Sequence, residues 1–263
     1  MTVIPAIVFP VIDPVLIELG PISIRWYALA YVLGLILGWQ YLHFLARRNL
    51  VPLKGRQVDD LLVISAIAII IGGRLGYVFF YQPSYYLENP QQIPMIWTGG
   101  MSFHGGVLGV IISTYLFCKK NKLSTFYFLD LISLSAPIGI FLGRIANFIN
   151  SELYGTRTDF FLAVIFEKVD TVSRHPSQLY EAFFEGIILF ILLNFIYKKY
   201  INHKPGVLSA LFLIFYSVFR FIIEFTREPD AHLGLVFMEL SQGQVMSILF
   251  FVVGLIVLKI KNA

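Results

Sequence analysis

One cysteine, Cys118, is all that 263 residues contain, so an intramolecular disulfide and a cysteine-rich metal site are both excluded. Charge is also scarce. Only 14% of residues are charged, against about 25% in soluble domains, whereas 57% are apolar and the mean hydropathy is +0.77. A surface so poor in charge cannot be wetted all round, which places the chain in a membrane. The net charge of +4 is small and scattered, and excludes nucleic acid as a partner. No HExxH, no Walker loop and no Asp-rich pair occurs, so neither a metal nor a nucleotide cofactor is expected. No repeat of period 20–50 is visible, and no matching broken helices of the kind inverted-repeat transporters use. Before Arg25 there is no basic residue, but there are Pro5, Pro10, Pro14 and Pro21. That excludes a signal peptide and a spanning helix, and predicts an extended or amphipathic surface arm over residues 1–25.

What is present is a series of apolar runs. A spanning helix needs about 20 mostly apolar residues, and seven segments qualify: Trp26–Leu45, Leu61–Tyr81, Met101–Cys118, Phe126–Phe148, Leu179–Tyr197, Gly206–Phe225 and Val245–Leu258. The last is short unless it begins near Ser241. The expected fold is an all-α polytopic membrane protein: one membrane-embedded domain over 1–263 with seven transmembrane helices. Residues 150–177, between helices 4 and 5, form the longest polar segment. They enclose the β-prone run Phe160–Phe166, so a small outer head with some strand is expected there.

Basic residues set the orientation. Arg47, Arg48, Lys54 and Arg56 follow helix 1, Lys119, Lys120 and Lys122 follow helix 3, Lys198, Lys199 and Lys204 follow helix 5, and Lys259 and Lys261 end the chain. These alternate loops read as cytoplasmic, with the N-terminus outside and the C-terminus inside. The other basic residues are Arg25, Arg74, Arg144, Arg157, Lys168, Arg174, Arg220 and Arg227. Lysine dominates the first set and arginine the second. Arginine presents a planar fork suited to phosphate and carboxylate, so the outer set reads as a binding population.

Three clusters sit at outer helix ends. Phe103-His104-Gly105-Gly106-Val107-Leu108-Gly109 opens helix 3, where free N–H groups and the helix dipole attract anions and favour a neutral His104. The same glycines fit plain helix packing. In helix 4, Arg144 and Asn147 share a face. An arginine inside an apolar span costs roughly 2.5–3.5 kcal/mol, so a partner is expected, with Glu152 or Glu181 as candidates. Gly139 and Gly143 give that helix a small-residue side. In helix 6, Tyr216, Arg220, Glu224 and Arg227 share a face and leave one excess positive charge there. Arg74, after Gly72 and Gly73, reads as a site residue or the partner of an acidic side chain, and Glu185 as a partner for one of the arginines. His43, His203 and His232 are isolated and read as structural or solvated. Cys118, beside Lys119, does not read as a nucleophile.

The run from Gly143 to Gly155, GRIANFINSELYG, resembles the signature of the bacterial prolipoprotein diacylglyceryl transferases. So do His104-Gly105-Gly106-Val107-Leu108-Gly109, the block from Arg174 to Ala182, and Arg220-Phe221-Ile222-Ile223-Glu224-Phe225-Thr226-Arg227, all in family order. The resemblance implies an enzyme of the bacterial inner membrane. It would move diacylglyceryl from phosphatidylglycerol to the lipobox cysteine thiol of a prolipoprotein, release glycerol phosphate, and need no cofactor. It implies that Arg144 with Asn147, Glu152 and Gly155 belongs to the headgroup site. On this reading Arg220 stabilises the leaving phosphate, Glu224 and Arg227 orient it, His104 takes the thiol proton, and Tyr27 and Tyr216 add polar contacts. An anionic-lipid transporter using the same arginines, or a phospholipase-like hydrolase, is the alternative from another class.

Overall fold

A computed structural model describes residues 6–20, 22–51, 53–199, 204–229, 235–237 and 240–262. Pro5, Pro21, His203 and His232 lie outside the described residues. Helices dominate. Among the described residues, six of them are long and apolar enough to cross a membrane. These are α1 (Trp26–Arg47), α2 (Gly55–Phe80), α5 (Thr125–Ile149), the continuous helix Ser177–Lys199, the helix Val207–Thr226 and the helix Gln242–Lys261. The short helix α3 (Pro83–Glu88) follows α2. The expected span Met101–Cys118 forms α4 (Phe103–Asn121), which is outside that apolar set. Large apolar side chains such as Ile67, Ile71, Ile191, Phe195 and Ile256 point out of the helices, as lipid contact requires.

The helix Ser177–Lys199 is not uniform. It begins as α6 (Ser177–Glu181), widens into a π-helical stretch over Ala182–Ile188 and resumes as α7 (Leu189–Lys199). Glu181 and Glu185, four residues apart at the start of this stretch, share one side of the helix. The helix Val207–Thr226 is α8 (Val207–Ile223) ending in a 3-10 turn at Glu224–Thr226. The last helix, α9 (Gln242–Asn262), starts where Ser241 and Gln244 form a capping box: each side chain bonds the other's backbone N–H, at 3.2 and 3.0 Å.

Backbone contacts divide the chain into two compact units, residues 1–38 with 132–263, and residues 39–131. In the second unit, α2 and α4 pack through glycine. A Cβ on Gly105 would run into the Gly72 carbonyl and come within 2.8 Å of the Gly76 Cα, and one on Gly109 would meet the Ala68 carbonyl. Helix packing is therefore what Gly105 and Gly109 serve. Ser102 caps α4, accepting from the Gly105 N–H at 3.2 Å. His43 is not isolated: its Nε2 lies 2.7 Å from Asp59, which also accepts from the Trp39 indole at 2.8 Å.

The first unit carries the strands. The described part of the arm is extended and folds into β structure. Strand β1 (Ile7–Phe9) pairs in parallel with β4 (Val164–Phe166), which pairs antiparallel with β5 (Ser173–Arg174). Arm and head segment thus share one sheet, closed by Phe9, Phe148 and Phe166, whose rings lie 4.6–6.0 Å apart. Strands β2 (Val15–Leu19) and β3 (Ile22–Arg25) form a hairpin that leads into α1. Within the β-prone run Phe160–Phe166, the last three residues form strand.

Candidate active site

In the first unit, three sequence blocks far apart in the chain are fastened to one another. Helix α5 ends in a cap with Ser151 at φ 58°, and the Glu152 N–H reaches back to the Asn147 carbonyl at 2.9 Å. The chain then passes beside the start of α6. Ser177 donates to the Leu153 carbonyl at 2.9 Å, Gln178 to the Glu152 carbonyl at 2.6 Å, and the Gly155 N–H to the His175 carbonyl at 2.9 Å. On its other side Gly155 bridges to Arg227, and Thr156 donates to Thr226 at 2.9 Å. A side chain on Gly155 would come within 2.5 Å of the Thr226 carbonyl and of the His175 Cβ. Glycine is required there by this close passage.

What these fastenings hold is a buried lattice of three arginines and three glutamates. Arg144 reaches Glu181 through Nη1 at 3.2 Å and Glu185 through Nη2 at 3.1 Å. Arg220 pairs with Glu181 and, at 2.6 Å, with Glu224. Arg227 lies 3.9 Å from Glu181 and 3.8 Å from Glu224. Glu181 and Glu185 have no exposed side-chain surface. Glu181 is therefore shared by all three guanidinium groups. Glu224 is held further by the Ser241 hydroxyl at 2.9 Å and pressed against Gly243. Buried charges of this number persist only when paired.

Two expectations change. The partners of Arg144 are Glu181 and Glu185 rather than Glu152, whose carboxylate instead accepts from Asn147 at 3.4 Å and Asn150 at 3.5 Å. The excess positive charge expected on the helix-6 face is also gone, because Glu181 and Glu185 from another helix balance it. The lattice is neutral by count, three against three. A guanidinium has five N–H donors, and the two carboxylates on Arg144 engage only part of that set. Tyr216 lies within hydrogen-bonding reach of Arg144, and Tyr27 is close enough to interact with it electrostatically. The Tyr27 and Tyr31 hydroxyls are 3.4 Å apart. A Cβ on Gly34 of α1 would come within 3.0 Å of the Gly139 Cα, whereas one on Gly139 itself, or on Gly143 beside Arg144, would meet open space.

Three other cations of the outer set, Arg74, Lys168 and Arg174, are engaged in structure. Arg74 belongs to the second unit, and among the described residues no carboxylate pairs with it. Its guanidinium gathers backbone carbonyls of the loop after α3: Gln92 at 2.8 Å, Ile93 at 2.9 Å, Gly100 at 3.2 Å, and Gly99. Lys168 donates to the Asn150 carbonyl at 3.0 Å. Arg174 binds Asp170 at 2.6 Å, Glu228 at 3.1 Å and the Gly155 carbonyl at 3.3 Å, over the Tyr154 ring. The Arg174 guanidinium holds the Asp170 carboxyl below the usual carboxylate range. Partial burial pushes the His175 imidazole below its usual value.

His104 belongs to the second unit, exposed in the first turn of α4 with the Phe103 ring 5.8 Å away. Sequence reasoning missed Ser241 as a lattice partner, although the Ser-x-x-Gln of a capping box was visible at 241–244. It named Glu181 and Glu185 only as possible partners; their four-residue spacing was the available signal.

The fold and this lattice define a multi-pass membrane protein whose buried ion-pair centre is assembled from distant sequence blocks. Residues 14–260 match the family model described as prolipoprotein diacylglyceryl transferase. Proteins named phosphatidylglycerol–prolipoprotein diacylglyceryl transferase are similar throughout. The one from Rhodospirillum rubrum is 49% identical over 96% of this chain and 93% of its own length. The one from Paramagnetospirillum magneticum is 48% identical over 96% and 95%, and that of Rickettsia bellii 46% over 94% of each. The chain belongs to the prolipoprotein diacylglyceryl transferase family and is a membrane-bound transferase.

Proposed function

We propose that this enzyme transfers the diacylglyceryl group of phosphatidylglycerol to the thiol of the lipobox cysteine of a prolipoprotein, the first step of bacterial lipoprotein maturation. The observation that carries the reading is the arginine–glutamate lattice, built by the blocks that resemble the family signature. The thiol sulfur attacks the glycerol carbon, the carbon–oxygen bond breaks, and a thioether forms. The phosphodiester carries one negative charge and leaves as a glycerol phosphate monoester with two. Stabilising that additional charge is work for fixed guanidinium groups in a low-dielectric site.

Arg144 grips the headgroup phosphate, with Asn147 and Glu152 shaping the site beside it and Gly155 keeping that loop in place. Arg220 takes the charge developing on the leaving oxygen. Glu224 and Arg227 orient Arg220, and Glu181 and Glu185 hold the guanidinium planes in register before substrate arrives. Such preorganisation avoids reorientation during the reaction. Tyr27 and Tyr216 add polar contacts around Arg144. His104, at the N-terminus of α4 in the second unit, is the proposed acceptor of the thiol proton. We place α4 as a seventh span in the bacterial inner membrane, the N-terminus outside and the C-terminus cytoplasmic, on the alternating lysine pattern.

An anionic-lipid transporter is not favoured by the relatives, and a hydrolase would substitute water for the thiol. Incubating the purified protein with phosphatidylglycerol, with and without a lipobox peptide, separates the three. A transferase forms lipidated peptide and releases glycerol phosphate only when the peptide thiol is present. Lipid cleavage without peptide indicates hydrolysis, and no chemistry in either mixture refutes the proposed reaction.

A further inference from the structure

The head sheet has an open side that the lattice does not use. In β1 the Ile7 N–H bonds the Ala163 carbonyl at 2.9 Å, and the Phe9 carbonyl accepts from Glu167 at 3.4 Å. With Ile7 and Phe9 turned toward β4, the parallel ladder directs the N–H and C=O of Val8 outward. No described residue pairs with them, and Ile7 and Val8 remain 58% and 55% exposed. An apolar strand with an unpaired edge is a template for another extended chain. Beside it opens a cavity of about 350 Å³, lined by Ile7, Phe148, Leu162, Val164, Leu179 and Phe184 among others. The one hydroxyl in its wall, on Tyr180, lies 3.2 Å from the His175 imidazole.

We propose that the open edge of β1 and the adjoining cavity bind an extended apolar segment of the acceptor polypeptide. The edge supplies hydrogen bonds to its backbone, and the cavity takes one or two of its hydrocarbon side chains. An acyl chain has no use for the backbone groups of Val8, whereas a peptide would leave its own amides unpaired in the cavity alone. Edge and cavity together match a strand with alternating side chains, the strand-addition mode of peptide recognition. The location suits an acceptor. Phe148, in the cavity wall, is one turn beyond Arg144 on α5, about 6 Å along its axis. Two extended residues span about that distance. A polypeptide seated on β1 can therefore present a residue two or three positions further on at the level of the lattice.

The inference rests on the reading that the second substrate is a polypeptide, and its test separates the two. A photoreactive benzoylphenylalanine at Leu162 is irradiated in the full-length protein with phosphatidylglycerol and a lipobox peptide whose cysteine is replaced by serine. The peptide cannot react, so capture does not depend on turnover. The peptide should be captured, and Val8→Pro, which removes the outward N–H but no ladder bond, should lower the yield at least fivefold. With the cysteine peptide, Val8→Pro and Leu162→Trp should each raise the peptide KM at least fivefold and the lipid KM less than twofold. Capture of lipid in place of peptide, or peptide capture indifferent to Val8→Pro, overturns the proposal. Capture of the serine peptide by an enzyme that never lipidates the cysteine peptide would leave the docking surface standing and remove the proposed reaction.

Discussion

Glu181→Gln isolates what the lattice does, because one carboxylate there serves three arginines. Glu181 has no exposed side-chain surface, lies 3.2 Å from Arg144 and 3.9 Å from Arg227, and is paired with Arg220. Glutamine keeps the shape and removes the charge, leaving three guanidinium groups against two carboxylates. Removing one partner of a buried pair costs about 3–5 kcal/mol of stability. The catalytic effect is separate. Arg144 and Arg220 lose their common anchor, and a displacement of about 1 Å at a reacting centre costs on the order of 100-fold. We expect kcat to fall about that much while the KM for phosphatidylglycerol does not rise, since the additional net positive charge favours an anionic lipid. Glu185→Gln should cost only about tenfold, or roughly 1.4 kcal/mol, because Glu185 touches Arg144 at 3.1 Å but Arg220 only at 3.9 Å. The assay is initial-rate kinetics in detergent micelles, with thermal unfolding of each variant in parallel. A folded Glu181→Gln enzyme within threefold of the wild-type kcat would refute the positioning role. So would a loss confined to KM.

Arg144→Lys keeps the charge but cannot reach Glu181 and Glu185 from two separate nitrogens, so activity should fall at least 100-fold with the protein still inserted; near-normal turnover would show that charge alone suffices. Single cysteines at Gln91 and Ser173, in a background lacking Cys118, should react with an impermeant thiol reagent in intact cells, and one at Asn202, outside the described residues, should not. Labelling at Asn202 from outside would reverse the proposed orientation. Asp170 has a folded pKa below its unfolded value of about 3.9, so its contribution is fully present above that value and is lost as pH falls through the folded one. Limited proteolysis of the 156–172 segment should therefore accelerate in Asp170→Asn at neutral pH, and in the wild type only at strongly acidic pH; equal cleavage of the two at neutral pH would remove Arg174–Asp170 as the fastening.

The helices were legible because long apolar runs report directly on lipid contact, and their expected bounds agree with the observed ones to within a few residues at most ends. The start of α2 is an exception: Gly55–Asp60 is mostly polar yet helical, because Gln57 caps the Lys54 N–H at 2.9 Å and Val58 supplies the buried side of the turn. The sequence marks the arm only as extended or amphipathic, because strand pairing is non-local; nothing near Ile7 announces Val164 as its partner. The lattice was half legible. The spacing of Arg220, Glu224 and Arg227 fixes a shared helix face, but which carboxylate neutralises Arg144 depends on how α6 is turned. Glu181 and Glu185 straddle the start of a π-helical stretch, which no residue type marks. Arg74 illustrates the converse: an arginine between glycines in an apolar helix looks like a ligand group until the loop after α3 is seen wrapped around it.

The account stands on which bond is broken. Attack at carbon displaces an intact phosphate ester, so phosphorus is never the electrophile and the released fragment retains the phosphate. The direct measurement is a mass balance on phosphatidylglycerol and a cysteine-containing lipobox peptide, quantifying thioether, glycerol phosphate, phosphatidic acid and diacylglycerol over one time course. One glycerol phosphate per thioether, with neither phosphatidic acid nor diacylglycerol accumulating, is the predicted result. Phosphatidic acid in step with peptide consumption, or diacylglycerol released without thioether, would contradict it.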